Sequence, residues 1–200
     1  MDRRTFIAAT AATVIAAGPI SAKVPLNELS QYFNGIRTLE GKFTQTNADG
    51  SRSTGTLYMR RPGRARFEYD PPEKSLVMAG GGQVAVFDGR SNSGRADQYP
   101  LRRTPLSIIL ERNVDLGRRN MVVGHGGDAT TTTLVAQDPE APENGRVELL
   151  FQNTPLTLAG WTVIDAQGGR TKVRLTQIKL GGQLPGRLFS IPQEMAARGN

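Results

Sequence analysis

The chain has 200 residues, 38% of them hydrophobic, with 23 glycines and no cysteine. That length suffices for one domain with a sizeable core, the glycine content fits a turn-rich β protein rather than a helical bundle, and disulfides and thiolate metal sites are excluded. A formal net charge of +7 leaves nucleic acid, an anionic membrane or simple solubility as its meaning.

Residues 1–22, MDRRTFIAATAATVIAAGPISA, combine a basic start, an alanine-rich apolar stretch and a small-residue end. That is the pattern of an export signal, and the apolar run is too short for a good membrane span. Arg3-Arg4-Thr5-Phe6-Ile7 resembles the twin-arginine consensus; an ordinary Sec signal that begins with two arginines is the alternative. Cleavage is expected after Ala22, leaving residues 23–200 as one domain in the periplasm. Losing Asp2, Arg3 and Arg4 lowers the net charge only from +7 to +6.

The apolar residues Leu26, Leu29, Phe33 and Ile36 make one helical stripe over about 25–36, with Pro25 at its start and Gly35 near its end. The period then changes to two. Phe43 and Gln45 alternate with Lys42 and Thr44, and 47–51 is a turn. Leu57 and Met59 share a face opposite Thr56, Tyr58 and Arg60, and the strand breaks at Arg61-Pro62-Gly63. Ala65, Phe67 and Tyr69 share the next apolar face, opposite Arg64, Arg66 and Glu68. Asp70-Pro71-Pro72-Glu73 ends that strand. Short strands follow near 75–79 and 83–88, split by Gly80-Gly81-Gly82, and Asp88-Gly89 signals a hairpin. Thr104-Pro105 reads as a cap and first turn for a helix over 104–112, with Leu106, Ile109 and Leu110 as its stripe. Strands resume near 119–124 and 129–136; 138–145 is a loop. Val147, Leu149 and Phe151 share a face, and 161–165 with 170–175 form a hairpin. Ile178 and Leu180 fall out of phase with Val173 and Leu175, which predicts a bulge. Short strands at regular spacing argue a sandwich or a curled antiparallel sheet.

Catalytic chemistry finds little footing. His125 is the only histidine and reads as a hairpin tip in Gly124-His125-Gly126-Gly127-Asp128; without cysteine it makes a zinc site improbable. There is no Gly-x-Ser-x-Gly turn. Glu148 and Asp165 are single acids on alternating strands and read as solvent-facing. Gly80-Gly81-Gly82 lacks the Lys-Ser/Thr of a phosphate loop. No enzyme activity, cofactor or metal is expected. Nucleic acid is disfavoured too, because Phe67 and Tyr69 alternate away from Arg64 and Arg66, so rings and charge share no surface.

Leu39-Glu40-Gly41-Lys42-Phe43-Thr44-Gln45-Thr46, then Gly55-Thr56-Leu57 running into Arg61-Pro62, then Arg66-Phe67-Glu68-Tyr69-Asp70-Pro71-Pro72 resemble the periplasmic outer-membrane lipoprotein carriers of the LolA type. Gly160-Trp161-Thr162-Val163-Ile164-Asp165 and Leu188-Phe189-Ser190-Ile191-Pro192 extend the resemblance over nearly the whole mature chain. It departs at Ala65 and Phe67, where the family often carries a bulky aromatic and a tryptophan. The resemblance implies an unclosed, strongly curved antiparallel β-barrel with short α-helices forming a lid over a hydrophobic cavity. It implies a monomer that takes acylated lipoproteins from an inner-membrane ABC transporter and delivers them to an outer-membrane acceptor. A lipid- or lipoprotein-sensing or scaffold module of the same fold is the alternative.

On that reading Phe43, Leu57, Met59, Phe67, Tyr69, Leu149, Phe151 and Trp161 line the acyl-chain cavity, and Leu29, Phe33, Leu106 and Ile109 belong to the lid helices. Arg61, by its place in the Arg-Pro step, is the residue that bonds the lid, while Arg60 is a solvated arginine at the hairpin end. Helix ends leave backbone carbonyls unpaired, and a guanidinium offers five donors to meet them.

Processing is the first testable expectation. N-terminal sequencing of the exported protein should begin at Lys23, and replacing Arg3 and Arg4 by Lys should block export; normal export of that variant would assign the Sec route.

Overall fold

The computed structural model describes residues 23–89, 95–104, 106–117 and 120–199; the expected export signal at 1–22, with its cleavage point, lies outside them. Eleven strands form one antiparallel sheet: β1 (Thr38–Thr46), β2 (Arg52–Arg60), β3 (Arg64–Tyr69), β4 (Leu76–Gly80), β5 (Gln83–Phe87), β6 (Asp97–Pro100), β7 (Val122–Gly127), β8 (Thr131–Gln137), β9 (Arg146–Asn153), β10 (Leu156–Ile164) and β11 (Arg170–Leu180). Their order is β6-β5-β4-β3-β2-β1-β11-β10-β9-β8-β7. Two meanders thus meet at β1 and β11, and β6 and β7 are the edges. The sheet is not closed, as the resemblance implied, and it is one curled sheet rather than a sandwich.

Three α-helices accompany it: α1 (Leu26–Gly35), α2 (Leu106–Leu110) and α3 (Ile191–Arg198). Because β6 and β7 lie at opposite edges, the chain between them must cross the open side, and this crossing carries α2. One apolar cluster gathers the inward residues of β1–β5 and β8–β11 together with α1 and α2. Only a strongly curved sheet brings such distant strands to one core.

The outer face of β3–β5 is covered as well. Leu76, Met78, Ala85 and Phe87 point outward and pack with Ile191 and Met195 of α3 as a second, smaller core. β4 is therefore buried on both faces, which explains its unbroken apolar run. Ser190 caps α3 by accepting from the Gln193 N–H.

Several elements differ from the sequence expectation. The helix near 104–112 spans only Leu106–Leu110, and the Thr104 hydroxyl closes the preceding turn by donating to the Leu101 carbonyl rather than capping α2; Pro105 lies outside the described residues. His125 is not at a hairpin tip. It lies within β7 opposite Leu134, and the turn falls at Asp128, whose Oδ1 accepts from the N–H groups of Thr130 and Thr131. Those bonds hold the Asp128 carboxyl down at about 2. The expected bulge is present, with the register between β1 and β11 shifting between Glu40 and Lys42. Gln177 takes a positive φ of 53° there.

Arg66 points outward as its alternation requires, but that face is covered. Its guanidinium is not solvated but reaches Glu68 at 2.6 Å, Glu194 at 2.9 Å and the Leu188 carbonyl at 3.2 Å. Arg198 adds an ion pair to Glu194 at 2.8 Å and stacks over Phe87. Arg60 likewise reaches the chain before α3, donating to the Leu184 carbonyl at 3.1 Å. Burial alone would raise the Glu194 carboxyl, yet the bonds from Arg198 and Arg66 outweigh it and hold the group below its ordinary value. A carboxyl depressed in the folded state stabilises above its unfolded pKa, about 4.3, and loses that contribution as pH falls through the folded one. Acidification below about pH 4 should therefore loosen α3. Hydrogen exchange over 190–198 would register this, and Glu194→Gln should be loosened already at neutral pH with little further response to acid.

Candidate functional site

The concave face and its lid form the site. Leu29 and Phe33 of α1 and Ile109 of α2 are fully buried against the sheet, and Leu106 is half-buried. Phe43, Leu57, Met59, Phe67, Leu149, Phe151 and Trp161 are buried in the same cluster, with Tyr69 packed at its margin. All twelve apolar positions expected from the sequence thus meet in one place.

Their rings form two groups joined through the rest of the core. Under α1, Phe33 meets Phe151 edge-on at 5.6 Å and Tyr32 meets Phe151 at 6.0 Å. Across the sheet, Phe43 meets Phe67 at 5.7 Å and Tyr69 at 5.1 Å, and Phe67 meets Trp161 at 6.0 Å. Such T-shaped contacts add about 0.5–1.5 kcal/mol each beyond burial. Gly55 makes room for the second group: a Cβ there would lie 2.6 Å from the Phe43 ring. Tyr69 donates to Gln45 Oε1 at 2.7 Å, and burial pushes its hydroxyl up to about 12.

The lid is held by polar bonds at its rim. Gly63 donates its N–H to the Leu110 carbonyl at 2.8 Å, and Arg61 donates from Nη2 to the Glu111 carbonyl at 2.5 Å. The β2–β3 turn thus meets two C-terminal carbonyls that α2 itself leaves unpaired. Arg61 Nε is buried and has no hydrogen-bond partner among the described residues. Burial draws the Arg61 pKa below the ordinary arginine value, and the nearby Glu111 carboxylate opposes this.

Sequence reasoning missed the rest of the rim. Asn34 of α1 donates from Nδ2 to the Val114 carbonyl and accepts the Val114 N–H at Oδ1, each at 2.9 Å. The Leu116 N–H donates to Ser30 Oγ at 3.0 Å. These bonds tie α1 to the segment after α2. Tyr32 Oη accepts the Leu158 N–H at 2.9 Å, fixing α1 to β10 where the register shifts between Leu158 and Gly160. Val24 donates its N–H to Thr132, and His125 Nε2 bonds the Val24 carbonyl, so the chain before α1 is fastened to β7 and β8. The other sequence candidates are engaged elsewhere: Glu148 pairs with Arg170 at 2.8 Å, and Asp165 accepts from the N–H groups of Gln167 and Gly169 in its turn.

The expected cavity residues pack on one another across the concave face. A cleft of about 570 Å³ lies beside α2, between it and the ends of β8 and β9. Ile108, Met121, Ala136 and Val147 of the apolar cluster form its floor, and Arg102, Arg103 and Arg146 stand with Glu140 around it. Its volume falls within the range of small-ligand sites. Nothing in the local sequence marks it, because helix, strand ends and loop come together only in the fold.

The sequence profile of the family described as "Outer membrane lipoprotein carrier protein LolA" matches residues 34–192. An outer-membrane lipoprotein carrier protein from Coxiella burnetii is 29% identical over 172 residues, covering 81% of this chain and 80% of the relative. One of the same description from Legionella pneumophila is 28% identical over 174 residues, covering 80% of this chain and 82% of the relative. A solved LolA superfamily protein from Nitrosomonas europaea superposes with a TM-score of 0.45 at 12% identity, over 84% of this chain and 98% of that one.

Charge-assisted hydrogen bonds contribute about 1.5–3 kcal/mol. Arg61→Leu should therefore speed hydrogen exchange across 106–111 by roughly ten-fold or more. Arg60→Leu should loosen the segment around Leu184 and leave α2 alone.

Proposed function

The chain belongs to the LolA family of outer membrane lipoprotein carrier proteins, and from that membership we propose how this one carries its cargo: acyl chains replace the lid's own contacts on the concave face. It is a lipoprotein carrier, working by binding and release. An acyl chain left in water costs about 0.8 kcal/mol per methylene, so a lipoprotein cannot diffuse unshielded between two membranes. A carrier needs a large apolar surface that hides itself when empty and yields when loaded.

The observation that carries this reading is the pairing of Leu110 and Glu111 carbonyls with Gly63 and Arg61 over one continuous apolar core. Two rim bonds bias α2 toward closure without locking it. The unpartnered Arg61 Nε offsets part of what they contribute, since an unmet buried donor costs about 1–3 kcal/mol. Asn34 and Ser30 keep 114–116 on α1, so α2 swings about residues 111–114 rather than leaving with α1. The cleft floored by Ile108, Met121, Ala136 and Val147 is where acyl chains first enter. Phe43, Phe67, Leu149, Phe151 and Trp161 then line the opened cavity. The site of action is the periplasm. An inner-membrane ABC transporter loads the carrier and an outer-membrane acceptor unloads it. No helix among the described residues is long and apolar enough to cross a membrane.

The test is competition with a hydrophobic dye. A triacylated peptide should displace the dye, and the same peptide without acyl groups should not. Met121→Asp, which puts a charge on the cleft floor at the most accessible of its four apolar residues, should weaken displacement by at least ten-fold, because acyl chains seated there would bury that charge unpaired. Arg61→Leu should retain cargo and slow transfer to outer-membrane acceptor at matched loading. Equal competition by the unacylated peptide would move the reading to a module that binds a partner protein.

A further inference from the structure

The outer face of the sheet is divided in two. α3 covers the half built from β3–β5. The half built from β2, β1 and β11 is covered among the described residues only at its Thr38–Arg60 end, by the segment around 182–184, and its other outward side chains are mainly cations and threonines.

Register fixes how they lie. Arg52 stands opposite Thr46, and Thr46 opposite Lys172. In the next row Thr54 faces Thr44, and Thr44 faces Arg174. In the third, Thr56 faces Lys42, and Lys42 faces Thr176. Arg170 extends the β11 column by one more outward position. Strand spacing and rise put these cations on a patch of roughly 10 by 20 Å. Lys42, Arg52, Lys172 and Arg174 are exposed and form no ion pair among the described residues. Lys42 gives its ammonium only to the Thr56 hydroxyl. The acids at the margins are few. Glu148 pairs with Arg170, Asp70 accepts from Thr54, Glu40 lies opposite Lys179, and Glu68, opposite Thr56, pairs with Arg66. A shallow basin opens beside Arg170 and Lys172, lined also by Thr46, Thr162 and Gly168.

We propose that the uncovered, cationic part of this half docks the protein on an anionic phospholipid bilayer. Binding between proteins concentrates in aromatic and apolar anchors seated in pockets. Apart from Tyr58 at one end, the outward positions of β2, β1 and β11 up to Thr176 offer only cations, threonines and Glu40. A bilayer surface asks for no such anchor. It rewards basic side chains held within a Debye length of lipid phosphates, and hydroxyls between them donate to headgroup phosphate oxygens. The attachment is weak, reversible and salt-sensitive, and it leaves the lid on the opposite face free. It stands apart from acyl-chain binding, which uses the concave side.

Co-sedimentation of the purified protein with vesicles tests this. Phosphatidylcholine vesicles containing a quarter phosphatidylglycerol should bind it, pure phosphatidylcholine vesicles should not, and salt near 0.5 M should release it, the Debye length there falling to about 4–5 Å. Each cation removed should weaken binding roughly five-fold, so Arg52→Gln with Lys172→Gln and Arg174→Gln should lose about 100-fold. That variant changes exposed residues only and should still bind acylated peptide as the parent does. A control with the same charge change, Arg37→Gln with Arg112→Gln and Arg187→Gln, should bind vesicles nearly as the parent does. Equal losses in both variants would reduce the effect to net charge and overturn the patch. Equal binding to neutral vesicles, or no binding to anionic ones while an acidic protein is captured, would overturn the bilayer as partner.

Discussion

A strand order that ends in β6 on one side and β7 on the other obliges the chain to cross the open side of its own sheet. Most of the functional architecture follows from that crossing. α2, with only five residues, is far below the length at which a helix is stable alone. It is helical because Ile108, Ile109 and Leu110 are buried on the concave core and because the β2–β3 turn meets its last carbonyls. Remove either support and the segment loses its reason to be a helix. A lid made this way has low local stability, as elements that must move generally do. α1 differs. It is ten residues long and is fastened by Tyr32, Asn34 and Ser30 to β10 and to 114–116. The two helices cover one surface, yet α1 is fastened along its length while α2 rests on burial and two carbonyl bonds.

The two faces of the sheet are stabilised by different means. Inside, apolar burial dominates and rings meet edge-on. Outside, β4 and β5 needed a cover because Leu76, Met78, Ala85 and Phe87 point away from the main core. α3 supplies it, positioned by the buried network of Arg66, Glu194 and Arg198. A half-buried ion network of this kind is a costly way to gain stability, but it ties α3 to β3 through Arg66 and Glu194. The outer face of β2, β1 and β11 up to Thr176 is polar apart from Tyr58 and needs no cover.

Much of this was legible where a face alternates. Leu57 and Met59, Ala65 and Phe67, Val147, Leu149 and Phe151 all point inward as their spacing required, because a period of two leaves a strand residue only two choices. What alternation cannot report is what lies on the other side. Arg66 has the same pattern whether water or a segment more than a hundred residues later covers it. The better clue was the unbroken apolar character of Leu76–Ala79 and Val84–Phe87, the mark of strands covered twice. His125 was misplaced because glycines read as a turn, whereas at a sheet edge they are accepted within the strand and Asp128 supplies the turn chemistry. Asn34 gave no signal at all. An amide on the polar side of an amphipathic helix looks solvated until the fold brings Val114 to it.

The free energy of carrying is a difference between two buried states. When the carrier is empty, the side chains that acyl groups would cover are already out of water, covered by α1, α2 and one another. Opening exposes them, and cargo covers them again. Most of the hydrophobic gain from burying acyl chains is therefore matched by contacts given up, including edge-on ring pairs worth about 0.5–1.5 kcal/mol each and the charge-assisted bond of Arg61. The surplus that remains is small compared with the area buried. Affinity is set by how well the empty state closes, so a change that strengthens closure loosens cargo and one that spoils closure tightens it. In the proposed cycle Arg61 acts on release through closure, without touching cargo. Its Nε, buried and without a hydrogen-bond partner among the described residues, weakens the closed state by about 1–3 kcal/mol, a modest bias against closure set beside about 0.8 kcal/mol for every acyl methylene buried.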